Sequence, residues 1–391
     1  PVPVTVRVNP VPVVQPSVLN QTICNNENTS FLLTSPTNVA PLSFDYNVTT
    51  TGSVVGFTTP RTGLSNNTLV NDQLNNLTSG AQTVTYRIIP KAAGCVGSPV
   101  DLNVRVNPTP VLSPSVSSQT ICSGASTGFT VGTTTVPNDS VTFGYIVQAP
   151  AALSGYSSPV LHLPAGSGIN VPITNTSNAP QIAYFKMVPL IFGCKGDTST
   201  VAVTVEPKPI LNVSATEQTI CDKSMADILL TTPTLPTSAI SFSYTATSTG
   251  SVSGFSSPRS GLINNDKIND NLFNFSDQQQ TVTYKLVPGS SLCKGDTVTV
   301  LVHVNPTPKV NLNPLNSIIC DEQYTHIVLS TPTLPNASVT YTITATGTDS
   351  ITGFTPLVNN APFNYVISEQ LNNTSDNQIQ KVTYSVVPMA N

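Results

Sequence analysis

Seven cysteines are the residues best spaced to do chemistry in this chain of 391 residues. Cys24, Cys122, Cys221 and Cys320 stand 98, 99 and 99 residues apart, and Cys95, Cys194 and Cys293 stand 99 and 99 apart. Thiols held at fixed intervals suggest oxidative cross-linking, and with it an oxidising, extracellular setting. Pairing within one period joins Cys24–Cys95, Cys122–Cys194 and Cys221–Cys293, leaves Cys320 with a partner beyond the fragment, and lets each period close independently. Pairing across the period boundary, Cys95–Cys122 and Cys194–Cys221, also fits, as does a staple from Cys24 to Cys194. The first cysteine of each period follows its first strand and the second precedes its last, and in a seven-strand sandwich such turns can lie at opposite ends. Unpaired, buried thiols are the remaining reading.

Other chemistry is thin. His162, His303 and His326 fall in three different periods, none in a repeated motif with a carboxylate, and read as surface strand or loop residues. No G-x-S-x-G, H-E-x-x-H or phosphate-binding loop occurs, so no enzyme is expected within these residues, and no cofactor. Asp139, Asp197, Asp266, Asp270 and Asp296 form no calcium loop, and no metal site is expected. Lys195-Gly196-Asp197 and Lys294-Gly295-Asp296 look like integrin-recognition tripeptides. The first period carries Val96-Gly97-Ser98 instead, which favours a hairpin turn whose glycine supplies a positive φ. Tyr86, Tyr184, Tyr284 and Tyr384 recur on strands, where core packing or a tyrosine-corner hydrogen bond explains them better than a sugar platform; the chain has no tryptophan. N-x-S/T triplets at Asn28, Asn47, Asn76, Asn212 and Asn336 are expected by chance in a sequence this rich in Asn, Ser and Thr.

The elements that carry these residues repeat with the same period. Asn9-Pro10-Val11-Pro12 returns as Asn107-Pro108-Thr109-Pro110, Glu206-Pro207-Lys208-Pro209 and Asn305-Pro306-Thr307-Pro308. Gln21-Thr22-Ile23-Cys24 returns twice intact and then as Ser317-Ile318-Ile319-Cys320. Val84-Thr85-Tyr86 with Pro90 returns as Val282-Thr283-Tyr284 with Pro288 and as Val382-Thr383-Tyr384 with Pro388; repeat 2 offers Ile182-Ala183-Tyr184 with Pro189. Alternating β-branched runs such as Val298, Val300, Val302 and Val304 mark strands, turn clusters such as Asn66-Asn67 separate them, and no helical stripe is present. The expected fold is all-β: a tandem array of Ig-like/PKD-like β-sandwich repeats of about 99 residues forming an elongated rod. Residues 1–9 read as the last strand of a preceding repeat, 10–107, 108–206 and 207–305 as repeats 1, 2 and 3, and 306–391 as repeat 4 without its last strand. The segment between Gln148 and Pro180 departs most from the pattern and is expected to present a different loop. Each proline pair should end the strand before it and stiffen the connection.

Composition bounds the partners. Charged residues are 9% of the chain and the net charge is -4, so a polyanion such as nucleic acid is not an expected partner. Hydrophobic residues are 39%, enough for packed cores, and no run of apolar residues is long enough to span a membrane.

The frame N-P-x-P, Q-T-I-C, V-T-Y-x-x-x-P, C-x-G and V-x-V-x-V resembles the PKD-like and Ig-like repeats of giant Bacteroidota surface proteins, most of all flavobacterial gliding-motility adhesins of the SprB type. The resemblance implies a cell-surface filament exported by the type IX system and carried along the cell by the motility machinery. It also implies O-glycosylation at Asp-Ser/Thr-apolar sites, here Ser140, Thr297 and Ser350. Expected partners are then neighbouring repeats, surface polysaccharide or substratum, and motility or secretion machinery through other regions. The alternatives are a polysaccharide- or surface-binding module acting through variable loops such as Ala149–Pro180, and spacer domains of a secreted enzyme.

Overall fold

The structure is a computed structural model that describes residues 2–390. It contains no α-helix among the described residues and only two 3-10 turns, Asn138–Ser140 and Asn336–Ser338. Repeat 1 has strands β1 (Asn20–Ile23), β2 (Phe31–Leu33), β3 (Leu42–Thr50), β4 (Val54–Val55), β5 (Arg61–Leu64), β6 (Thr68–Val70), β7 (Asn75–Asn76), β8 (Gln82–Ala92), β9 (Cys95–Val96) and β10 (Val100–Val106). The larger sheet runs β1-β10-β8-β3-β5, with β9 folded back on β8. Its pairs are antiparallel except β1, which runs parallel to β10 and sets Ile23 beside Val106. Facing it are the short pairs β2–β6 and β4–β7.

Period-two alternation decides what faces inward. On β10, Leu102, Val104 and Val106 are fully buried, and on β8 so are Val84, Tyr86 and Ile88. Phe31, Leu33, Val70 and Leu74 meet them from the opposite sheet, with Phe44 and Tyr46 of β3 completing one core. Phe31 and Tyr46 both touch Tyr86 edge-on, at centroid distances of 5.2 and 5.3 Å. Repeats 2 and 3 rebuild the same sheet from Ser118–Cys122, Ser199–Glu206, Gln181–Ile191, Thr142–Gln148 and Val160–Pro164, and from Glu217–Cys221, Val298–Asn305, Gln280–Gly289, Ser241–Ser248 and Arg259–Leu262. In each, the last long strand stops before the proline pair, because proline has no amide to give the ladder.

Two expectations need revision. The segment between Gln148 and Pro180 keeps the short strands of repeat 1, as Leu153–Ser154, Val160–Pro164, Gly168–Ile169 and Thr174–Asn175; its side chains differ, not its backbone plan. Residues 2–9 form no strand, and Val2, Val4, Val6 and Val8 are exposed. Alternation makes a strand only against a neighbour, and none pairs with this segment among the described residues. The same reason explains Ser317–Cys320. In repeats 1–3 this segment pairs with a last strand; in repeat 4 it pairs with none among the described residues, forms no strand, and leaves Ile318 fully exposed.

The chain divides into two compact units, one ending at Pro207 and one beginning at Lys208. The first holds repeats 1 and 2, the second repeats 3 and 4.

Candidate functional site: the junction between successive repeats

Cys24 is bonded to Cys194, with a Cα–Cα distance of 5.5 Å across 170 residues of sequence. This corrects the pairing within each repeat. β1 ends level with the far end of β10, whereas Cys95 lies in the turn before β10 begins. Seven residues of strand separate the two levels, roughly 24 Å at strand rise. A disulfide needs Cα atoms within about 7 Å. Cys24–Cys95 is therefore excluded, and Cys122–Cys194 falls because Cys194 is already bonded. Cys221–Cys293 falls too: Cys221 is free and exposed, while Cys293, like Cys122, is disulfide-bonded elsewhere. The boundary pairs Cys95–Cys122 and Cys194–Cys221 are equally absent, since Cys95 and Cys221 are free thiols. Cys320 is free and exposed. What the structure builds is the staple from the first cysteine of repeat 1 to the second cysteine of repeat 2. Closing a loop of that length stabilises the folded state by about 5 kcal/mol on the chain-entropy account.

The staple sits in a packed joint. Val141, Ile191 and Cys194 are buried together, with Cys24 and Ala165 against them. The linker is not a free tether: Asn107, Pro108 and Pro110 are buried. Asn25 donates to the Thr109 hydroxyl at 3.0 Å, and the Val136 amide donates to the Ser79 carbonyl at 2.8 Å. Arg105 lays its guanidinium over the Phe192 ring, 5.2 Å from the centroid. In the second unit the Leu334 amide meets the Asp277 carbonyl at 2.7 Å and Thr307 donates to Asp222 at 2.6 Å, while Lys309 pairs with Asp277. Repeat 4 thus docks on repeat 3 through the same positions by which repeat 2 docks on repeat 1.

The glycines of the tripeptides belong to this joint. A Cβ on Gly196 would lie 1.9 Å from the Pro110 carbonyl oxygen, one on Gly97 1.9 Å from that of Pro12, and one on Gly295 2.1 Å from that of Pro209. Glycine is required by close approach of the linker rather than by a positive φ, which falls instead on Ala93-Gly94 and Phe192-Gly193 in the turns just before. Of the histidines, His162 and His326 are exposed, whereas His303 bridges the Thr281 hydroxyl at 2.9 Å and Glu217 at 2.7 Å, tying the parallel strand to the last one. No group of three or more His, Cys, Asp or Glu residues could hold a metal ion among the described residues.

Three segments of the chain, residues 21–110, 119–209 and 218–308, match the model of the PKD-like domain. The chain belongs to the PKD-like domain family. A search of the curated proteins finds no match. Solved structures that resemble the chain include protocadherin gamma B2 extracellular cadherin domains 3–6 (10% identity, TM-score 0.28, covering 96% of this chain and 98% of that one). They also include the N-terminal four Ig domains of Dscam1 isoform 6.9 (11%, TM-score 0.24, 96% and 97%) and the FN1–FN3 domains of chicken CNTN1 (14%, TM-score 0.23, 76% and 99%). Scores this low leave the family match as the basis of the assignment. Disulfides and PKD-like domains together mark a secreted or surface protein. No helix is long and apolar enough to cross a membrane among the described residues.

The tyrosines of the four repeats split into two groups. Tyr86 donates to Asp72 at 2.8 Å, Tyr284 to Asp270 at 2.9 Å and Tyr384 to Glu369 at 2.6 Å. Burial pushes each phenol well above its usual value, and the neighbouring carboxylate adds to the shift. The partner is a side-chain carboxylate, not the backbone group of a tyrosine corner. Repeat 2 breaks the series. Gln181 of its strand aligns with Gln82, so Phe185, not Tyr184, occupies the place of Tyr86, and Val171 that of Asp72. The hydroxyl and the carboxylate are lost together, so neither is left buried without the other.

Tyr184 points outward instead. With Gln148, Ala149, Pro150, Ile182 and Lys186 it lines an open depression of about 600 Å³ on PKD-like repeat 2. At the places of Gln148, Ile182 and Tyr184, repeat 1 has Thr49, Thr83 and Thr85, and repeat 3 has Thr247, Thr281 and Thr283. Misplacing Tyr184 by one residue hid this face from the sequence. The period-two side-chain rule finds it once Pro189 is aligned with Pro90.

Proposed function

We propose that this chain is a non-enzymatic stalk section of a long cell-surface adhesin filament, transmitting force in surface adhesion and gliding motility. The observation that carries the reading is the Cys24–Cys194 bridge. It joins neighbouring repeats rather than closing one, so pulling on the chain loads a covalent joint while both sandwiches stay folded. A buried linker and a repeated set of contacts at the joint serve the same end. A surface of Ser, Thr and Asn with few charges limits non-specific electrostatic adhesion along the stalk. On this reading the glycans implied by the resemblance attach at Thr297, which is exposed, and at Ser140 and Ser350, which are half-buried.

The test is live-cell tracking with a fluorescent antibody fragment raised against residues 108–305. Spots that travel along the cell body are expected. Fixed spots would overturn the motility role, and label found only in the medium would favour spacer domains of a secreted enzyme.

A second reading has its own observation. The depression around Ile182 and Tyr184 offers an apolar and aromatic face with a lysine at its rim, a combination suited to a sugar ring with polar or anionic substituents. Polysaccharide binding that is lost in a Tyr184→Thr, Ile182→Thr variant would favour this reading for repeat 2.

A further inference from the structure

We propose that Cys221 is one half of a covalent joint, and that the other half is a cysteine on the turn before the last strand of the unit that follows. Cys24 closes the parallel strand of repeat 1 and reaches Cys194 on the hairpin turn of repeat 2. Cys221 holds the same place in repeat 3: its strand, Glu217–Cys221, pairs in parallel with Val298–Asn305 as β1 pairs with β10. Cys122, in the same place in repeat 2, is disulfide-bonded as well, so Cys221 and Cys320 are the positions of this type left as free, exposed thiols.

Repeat 4 is already seated to complete the joint. The Leu334–Asp277 and Thr307–Asp222 bonds match Val136–Ser79 and Asn25–Thr109 of the stapled pair. Its strand Val382–Ala390 pairs with Val339–Gly347 as Gln181–Ile191 pairs with Thr142–Gln148. In repeat 2 the bonded cysteine follows Pro189 by five residues, and Pro388 is the matching proline, so the partner thiol belongs five residues beyond Pro388.

Bond formation needs a two-electron oxidant, here a small-molecule disulfide. The Cys221 thiolate attacks it and releases one thiol; the partner thiolate then attacks the mixed disulfide and releases the second. The oxidant takes both electrons, and the two protons end on the released thiols.

The test extends the full chain after Asn391 with a copy of Gly193–Glu206, which supplies a turn cysteine and a last strand. After reduction, refolding with oxidised glutathione and non-reducing proteolysis, mass spectrometry should find the added cysteine joined to Cys221, with Cys24–Cys194 in the same digest. In a Cys221→Ser version the added cysteine should remain free or glutathionylated. A bond from the added cysteine to Cys320, or two unjoined thiols while Cys24–Cys194 has formed, overturns the proposal. A version with serine at the added cysteine, unfolding with the same cooperativity as the parent chain, shows that the extension itself is tolerated.

Discussion

Asn76 donates one side-chain proton to the Val106 carbonyl at 3.0 Å and the other to the Gly80 carbonyl at 2.8 Å, while its own oxygen accepts from the Thr78 amide and hydroxyl. Asn175 reaches Val205 at 2.9 Å and Asn274 reaches Val304 at 2.8 Å in the same way. One amide thus ties the loop before β8 to the end of the last strand, the strand that leads into the next repeat. An Asn76→Ala change takes its donor from the buried Val106 carbonyl and one of two donors from the Gly80 carbonyl, which keeps the Thr78 hydroxyl at 2.9 Å; it should cost about 1–3 kcal/mol, read as a lower denaturant midpoint for repeat 1. Because both amide protons are engaged, the N-x-T triplet at Asn76 should carry no glycan, whereas Asn28, Asn47, Asn212 and Asn336 are exposed. Peptide mapping of glycosylation-competent material checks this.

The Tyr86–Asp72 and Tyr284–Asp270 pairs predict alkaline instability. Each phenol titrates above its unfolded value, so its contribution is complete below about pH 10. It is lost as pH rises, because the unfolded tyrosine ionises first. A Tyr86→Phe, Asp72→Val variant copies the arrangement of repeat 2. It should lose less stability than the parent chain between about pH 8 and pH 11, measured by denaturant titration at each pH.

At the acid end, a hydrogen bond from Lys91 holds the Asp45 carboxyl below its ordinary range, helped by the Gly63 amide at 2.9 Å. That contribution is present above the unfolded carboxyl value near pH 4 and lost as pH falls through the folded one. Asp45→Asn should flatten the acid side of the stability profile and leave neutral-pH behaviour of Lys91→Ala and Asp45→Asn alike.

Gly196→Ala tests the joint. The added methyl meets backbone, not a flexible side chain, so the linker must shift; a loss of about 1–3 kcal/mol is expected. Lys195→Ala and Asp197→Ala should be nearly silent. Integrin binding that depends on Lys195 and Asp197 would show that the tripeptide has a role beyond the turn.

Much of the fold was legible because a repeat shows its own constraints. The alternation of Val298 to Val304 gave strand, face and core together, and the proline pairs marked strand ends. The disulfide map was not legible. Spacing gives the period of Cys24 and Cys194 but not which end of a sandwich each occupies. That depends on β1 running parallel to β10, a pairing between segments far apart in sequence. Tyr184 was misplaced for a local reason: Ile182-Ala183-Tyr184 imitates Val-Thr-Tyr, but one residue of slip turns a buried side chain into an exposed one. The demand on Gly97, Gly196 and Gly295 came from a proline carbonyl about 85 residues earlier in the chain, contact that no local rule reports.

On the proposed function, load passes through the Cys24–Cys194 bridge between neighbouring repeats. Single-molecule pulling of a Cys122→Ser, Cys293→Ser chain, with and without reductant, tests it directly. If Cys24 holds Cys194, reduction should lengthen the fully extended chain by the 170 bridged residues, roughly 600 Å. A gain of roughly 250 Å, the span from Cys24 to Cys95, or no gain at all, would contradict the account.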